Sequence, residues 1–177
     1  MEIYARPRGD LSPHEAVRSL LKDAVSCYAG IPLPEISKTD RGKPFFPELP
    51  DLFFSLSHSG SLVLCAVGDS PCGADVQEPR VLSDRLLRRC FSPEELAAAD
   101  PAALWCLKES FIKMNGLMDR PLRDMVFLPA GDVFEGPEGT AGRVWRLPDG
   151  YTAALVCRDP AVLPAAVRCP FSPENTG

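Results

Sequence analysis

The segment 101-PAALWCLKESFIKMNG-116 decides the fold of this chain, because it predicts a long helix that the rest of the protein encloses. Pro101 suits the first position of a helix, and Gly116 suits the position that ends one. Apolar side chains recur at helical spacing on two sides of the segment: Leu104, Leu107, Phe111 and Met114 on one, Trp105 and Ile112 on another. A helix that is apolar on two sides is largely buried, so we expect other elements to pack around it.

Three charged residues, Lys108, Glu109 and Lys113, are built into this enclosed helix. Glu109 and Lys113 are four positions apart and therefore lie along one side of the helix. Buried charges are costly unless they are paired or bind a ligand. The segment alone leaves two interpretations open, an internal Glu109–Lys113 pair and a site for a charged ligand.

The segments on either side of this helix predict an α+β fold. Ser12, Pro13 and Glu15 are typical of a helix start, and that helix ends before Gly30. One further helix is predicted over residues 82–90, and another is predicted to begin at Ser92. The predicted strands span 52–57, 61–67, 73–77, 125–128, 143–147 and 151–157. The order of helix, strands, helices and strands indicates two α+β halves, residues 1–78 and 79–177, within one compact unit.

Composition argues against several classes of function. The net charge is -5, whereas a general nucleic-acid binder is usually basic. Apolar runs are too short to cross a bilayer, and the first residues have no apolar segment of the kind that directs secretion. Seven cysteines without a CxxC pair are not typical of a zinc site, and they indicate a reduced, cytoplasmic protein.

The segment 53-FFSLSHSG-60 places polar residues at the exit of an apolar strand. Hydroxyl groups, the imidazole of His58 and the flexible backbone at Gly60 could together bind an anion. A polar hairpin turn explains the same residues. Ser57 beside His58 also suggests a serine hydrolase, but the chain has no Gly-x-Ser-x-Gly motif, and the other histidine is His14.

The segment 73-GADVQ-77 contains a second candidate site. Residues two apart on a strand share a face, so Asp75 and Gln77 point the same way. A carboxylate beside an amide oxygen suits a hard cation such as Mg²⁺, although a solvated edge strand is the simpler interpretation. Arg85, Arg88 and Arg89 share one helical face, which is either solvated or able to bind an acidic partner.

Taken together and in this order, five segments resemble the surfactin-type (Sfp-like) members of the 4'-phosphopantetheinyl transferase superfamily. They are 42-GKP-44, 54-FSLSHSG-60, 73-GADVQ-77, 91-FSPEE-95 and 105-WCLKESFIK-113. Each segment alone is weak evidence, but all five lie in register across residues 41–116.

The resemblance implies a pseudo-twofold α+β monomer that transfers the phosphopantetheine group of coenzyme A to a serine of an apo acyl or peptidyl carrier protein. It implies catalytic roles for Asp75, Lys108 and Glu109, and Mg²⁺ ligands at Asp75, Gln77 and Glu109. It also implies that coenzyme A contacts a set of polar residues, namely Arg41, Lys43, Ser57, His58, Lys108 and Lys113. Glu95 matches a carboxylate of the family.

One position departs from the family pattern. The second acid of the Gly-x-Asp-x-Glu motif is Gln77 here, which offers an oxygen to a metal ion but no charge. The resemblance therefore also admits a catalytically weak or inactive relative that binds coenzyme A or a carrier protein.

Overall fold

The computed structural model describes residues 1–116 and 120–169. The helices are α1 (Pro13–Ala29), α2 (Asp84–Cys90), α3 (Pro93–Ala98) and α4 (Pro101–Asn115). The strands are β1 (Glu2–Pro7), β2 (Ser37–Lys38), β3 (Pro44–Phe45), β4 (Phe53–Ser59), β5 (Leu62–Gly68), β6 (Cys72–Gln77), β7 (Leu128–Ala130), β8 (Val133–Glu135), β9 (Ala141–Arg146) and β10 (Thr152–Cys157). The predicted α+β class is confirmed.

Helices α1 and α4 begin and end at the residues that their sequences predict, whereas α2 begins at Asp84 and not at residue 82. The hydroxyl of Ser12 accepts a hydrogen bond from the Glu15 amide, and the Glu15 carboxylate accepts one from the Ser12 amide. Gly116 follows α4 with a φ of 67°, a conformation that favours glycine over residues with a side chain. Of the helices in the described ranges, none is both long and apolar enough to cross a membrane.

Two antiparallel sheets share one topology. In the first sheet β5 lies between β1 and β4, and in the second β10 lies between β6 and β9, with β8 and β7 added beyond β9. The first sheet is thus formed by β1, which precedes α1, and by β4 and β5, which follow it. The second is formed in the same way by β6, which precedes α4, and by β9 and β10, which follow it, and in each sheet the last strand is central. This repetition agrees with two related halves. The division at residue 78 stays a prediction, and β6, which lies before it, hydrogen-bonds to β10 in the second sheet.

An apolar core lies between the two sheets, and one helix covers the outer face of each. Successive residues of β5 alternate between these layers, because Leu64 packs in the core between the sheets and Val63 packs against α1. On β10, Leu155 packs between the sheets and Val156 packs against α4. The cysteines are free thiols, and five of the seven are buried.

Gly73 sets the distance between α4 and the second sheet. A β-carbon at this position would overlap the backbone of α4 at Ser110 and Met114. Because Gly73 has no side chain, α4 lies directly on β6. This close approach brings the side chains of α4 within reach of Asp75, two residues further along the strand.

The structure differs from the prediction at one predicted strand and adds four strands that were not predicted, β1, β2, β3 and β8. The predicted strand 125–128 is wrong, since only Leu128 belongs to a strand and Met125 and Phe127 are buried outside β-structure. Strand β1, for which the sequence analysis made no prediction, is buried on both faces and pairs with β5. Apolar burial of an irregular segment produces the same local pattern as a short strand, which explains the first error.

Candidate active site

Asp75 is the centre of a hydrogen-bonded cluster between β6, β4 and α4. Its side chain is 4% exposed. The ammonium group of Lys113 lies 2.7 Å from Oδ1, and the hydroxyl of Ser57 donates to the same oxygen at 2.7 Å. The Nε2 of Gln77 donates to Oδ2 at 3.0 Å, so Asp75 and Gln77 do share a face of β6. This cluster joins three of the segments singled out in the sequence.

Glu109 lies on α4 one turn before Lys113 and is half-buried. Burial raises the pKa of the Glu109 carboxyl group, and the negative charge of Asp75 raises it further. The positive charges of Lys113 and Arg80 act in the opposite direction. Glu109 and Asp75 are therefore neighbouring carboxylates in a partly dehydrated site, where a cation or a proton is stabilised.

A cleft of about 320 Å³ shares Lys113 with this cluster. One wall is the loop before β3 with part of β4, and the other is the end of α4. Its cationic residues are Arg41, Lys43 and Lys113. The Lys43 ammonium group donates to the carbonyl oxygen of Met114, near the end of α4, and burial lowers the pKa of Lys43. Three of the predicted phosphate-binding residues thus line one cleft.

Lys108 does not line this cleft. Its side chain is 1% exposed, and its ammonium group lies 2.8 Å from Oε1 of the fully buried Glu95. It also donates to the carbonyl oxygens of Cys90 and Leu122, at 3.0 and 2.8 Å. Glu95 in turn accepts hydrogen bonds from backbone amides, including that of Phe127. This arrangement gives no support to the prediction that Lys108 touches a phosphate.

Ser57 and His58 lie on opposite faces of β4. The hydroxyl of Ser57 faces β6, where it bonds to Asp75 and accepts from the Val76 amide at 3.3 Å. His58 shares the opposite face with Leu56 and is exposed. The serine is therefore not paired with the histidine next to it, which argues against a serine hydrolase.

The residues around Asp75 fit a magnesium ion by the chemistry of their donors. Within residues 1–116 and 120–169, no three side chains of His, Cys, Asp or Glu are grouped so that they could hold a metal ion by themselves. Asp75 and Glu109 provide two carboxylates, and Gln77 provides an amide oxygen. Mg²⁺ commonly binds one or two protein carboxylates and takes its other ligands from water and substrate phosphates.

Two features of the site were not found from the sequence. The guanidinium of Arg80 lies 4.5 Å from the ring centroid of Trp105, and its charge acts on Glu109. Ser55 and Ser59 accept hydrogen bonds from the Ala74 and Glu78 amides, as Ser57 does from Val76. The serines are two residues apart and therefore lie on one face of β4, a pattern from which their hydrogen bonds could have been predicted. No local pattern indicates a role for Arg80.

Comparison with known proteins supports the resemblance. Residues 71–149 match the sequence model of the 4'-phosphopantetheinyl transferase superfamily. The chain is 40% identical over 90 residues to the 4'-phosphopantetheinyl transferase Sfp of Bacillus subtilis, which covers 45% of this chain and 40% of the relative. It is 32% identical over 109 residues to psf-1 of Bacillus pumilus, covering 55% of this chain and 47% of the relative.

A third relative comes from a different group of bacteria. The 4'-phosphopantetheinyl transferase AcpT of Escherichia coli is 36% identical over 115 residues, which is 57% of this chain and 56% of the relative. The chain thus spans about half the length of the curated relatives it matches. Over the matched residues, this chain is similar to the surfactin-type members of the 4'-phosphopantetheinyl transferase superfamily, as its motifs predict.

Proposed function

We propose that this protein transfers the 4'-phosphopantetheine group of coenzyme A to a serine of an apo acyl or peptidyl carrier protein. The observation that carries the proposal is Lys113, which lines the cationic cleft and also bonds to Asp75 at 2.7 Å. A cleft for phosphates thereby meets a pair of carboxylates, which is the combination that phosphoryl transfer requires. In this proposal the protein acts as a cytoplasmic monomer, and its contact with the carrier is transient.

The reaction breaks one bond of the coenzyme A pyrophosphate. The carrier serine attacks the β-phosphorus, and 3',5'-bisphosphoadenosine leaves with the electrons of the broken phosphorus–oxygen bond. Glu109 accepts the serine proton, because it is the half-buried carboxylate beside Asp75 in this site. Lys113 and Lys43 neutralise negative charge on the phosphates, and Arg41 adds a third cation at the cleft.

Asp75 and Glu109, with the oxygen of Gln77, would hold Mg²⁺, which neutralises pyrophosphate charge when it is bound. Lys108 serves this site through α4, because its buried pair with Glu95 holds the helix that carries Glu109. A contact of exposed His58 with the 3'-phosphate stays a prediction.

Intact mass spectrometry tests the proposed function directly. The protein is incubated with coenzyme A, MgCl₂ and a panel of apo carrier proteins. We expect at least one carrier to gain the mass of one phosphopantetheine group, and expect no gain when coenzyme A or Mg²⁺ is left out. Binding of coenzyme A without modification of any carrier would contradict the proposal.

That contrary result would favour the alternative, a weak or inactive relative that binds coenzyme A or a carrier protein. Gln77 is the observation in its favour. The amide of Gln77 adds no negative charge and directs its Nε2 toward Asp75. Product formation separates the two functions, since both proteins would bind coenzyme A.

Gln77→Glu is expected to preserve transfer and to lower the Mg²⁺ concentration that half-maximal activity needs, because a carboxylate adds a full charge to the metal site. Without Mg²⁺ the new carboxylate faces Asp75 in place of an amide donor, so the melting temperature in EDTA should fall and Mg²⁺ should restore it. The measurements are a Mg²⁺ titration of carrier modification and thermal unfolding. As a control of similar bulk, Gln77→Leu should raise the Mg²⁺ requirement. Unchanged Mg²⁺ titrations for both variants would remove Gln77 from the site.

Reversing Arg85, Arg88 and Arg89 to Glu is expected to raise the apparent KM for the carrier protein several-fold and to spare the KM for coenzyme A. These three residues are exposed on α2, and the neighbouring Val81 is 99% exposed. Carrier proteins that are acidic near their serine would bind such a surface. Steady-state kinetics at low and high salt measure the effect, which should shrink with salt because exposed charges are screened.

Single reversals provide the control for this surface. Lys22 is exposed on α1. Lys22→Glu makes the same charge change as Arg88→Glu on a different helix. An equal effect of the two substitutions, or a defect that salt does not relieve, would argue against α2 as the docking surface.

A further inference from the structure

Three serine side chains of β4 accept hydrogen bonds from β6 and the residue after it, in the place where a neighbouring strand would otherwise accept them. Strand β6 lies at the edge of its sheet and pairs only with β10 among the described strands. Its outward amides at Ala74 and Val76, and the amide of Glu78 directly after it, donate instead to the hydroxyls of Ser55, Ser57 and Ser59, at 2.9, 3.3 and 3.0 Å. Buried backbone amides need acceptors, so these hydroxyls join the two sheets where strand pairing does not.

Ser57 has a second partner that distinguishes it from the other two serines. Its hydroxyl donates to Oδ1 of Asp75 at 2.7 Å. A hydroxyl has one hydrogen to donate, so this contact uses the donor capacity of Ser57. The amide of Val76 donates to the same hydroxyl, and a hydroxyl that accepts a hydrogen bond is polarised into a better donor.

This contact controls which oxygen of Asp75 is available. Oδ1 receives both Ser57 and Lys113, which occupy its two lone pairs. Among residues 1–116 and 120–169, Oδ2 accepts a hydrogen bond from Gln77 alone and keeps one lone pair. Ser57 therefore orients the carboxylate so that Oδ2 is presented for a further ligand, and both residues are nearly buried, at 6% and 3% exposed.

We propose that Ser57 is a positioning residue that holds Asp75 in the orientation in which it binds a divalent cation, and that Ser57 does not bind a phosphate of coenzyme A. The proposal rests on the proposed function for the identity of the cation site. A phosphate contact would require the Ser57 hydroxyl to release Asp75, which would leave one bond fewer on a nearly buried carboxylate. Ser57, on β4 of the first sheet, thus orients Asp75, the proposed metal ligand on β6 of the second sheet.

Ser57→Ala, with Ser55→Ala as its matched control, tests this proposal. Each substitution removes one hydroxyl acceptor of a β6 amide, so both should lower the melting temperature, and Ser57→Ala should lower it more because it also removes the donor to Asp75. Titration calorimetry with Mn²⁺ in the presence of coenzyme A should show at least a tenfold loss of cation affinity for Ser57→Ala and little change for Ser55→Ala. The affinity for coenzyme A in EDTA should stay unchanged for Ser57→Ala.

Two further variants keep the test sharp if Ser57→Ala is poorly folded. Ser57→Thr keeps the hydroxyl and should retain cation affinity, whereas Ser57→Cys provides a weaker donor and should lose part of it. A selective loss of coenzyme A affinity in EDTA for Ser57→Ala, or equal Mn²⁺ affinities for the two alanine variants, would overturn the proposal. Absence of Mn²⁺ binding to the unaltered protein would overturn it too, while carrier modification by the same protein reports on the proposed function separately.

Discussion

Glu109→Gln is expected to lower the rate of carrier modification by about 10²-fold or more while the fold is retained. The substitution keeps the size of the side chain and removes the charge that serves both proton transfer and the cation, and loss of either role typically has an effect of this size. Single-turnover transfer, measured with saturating coenzyme A and Mg²⁺, reports the rate. Burial raises the pKa of Glu109 in the native protein, so the neutral amide should not destabilise the fold.

The control for this substitution is Glu94→Gln, which removes the same charge from an exposed position on α3. We expect Glu94→Gln to transfer at the normal rate. Near-normal transfer by Glu109→Gln, with an unfolding curve like that of the unaltered protein, would remove Glu109 from the catalytic site. A loss of transfer that coincides with unfolding would assign it a structural role instead.

Lys108→Met is expected to lower the free energy of unfolding by about 3–5 kcal/mol, because it leaves the buried carboxylate of Glu95 without its cation. Glu95 is fully buried, and the substitution also removes the donor for the carbonyl groups of Cys90 and Leu122. Burial lowers the pKa of Lys108, and the hydrogen bond and charge of Glu95 oppose that shift. Chemical denaturation measures the stability.

Lys113→Met is the matched control, since it makes the same substitution on the same helix. The side chain of Lys113 is 30% exposed and pairs with Asp75. We expect a smaller loss of stability from Lys113→Met and a larger loss of transfer per folded molecule. If Lys108→Met were instead as stable as the unaltered protein but bound coenzyme A more weakly, Lys108 would be a phosphate ligand.

The motif 105-WCLKESFIK-113 predicted more of the fold than of the site. Its helical spacing, together with Pro101 before it and Gly116 after it, gave the correct bounds for α4. Lys108 and Glu109 are adjacent in sequence, but neighbouring residues point about 100° apart around a helix. The resemblance assigned both residues to one site, whereas packing turns Lys108 toward Glu95 and leaves Glu109 near Asp75.

The sequence by itself determined the local structure, because capping residues, glycines and apolar periodicity act within a few positions of each other. It determined where α1 and α4 begin and end, and that Asp75 and Gln77 share a face of a strand. The partners of the charged and polar groups were decided only by the tertiary structure. Ser57 meets Asp75, and Lys43 reaches the last turn of α4, because the two sheets pack face to face and Gly73 lets α4 lie directly on β6. Such contacts join residues far apart in the chain, so no periodicity or spacing within one segment encodes them.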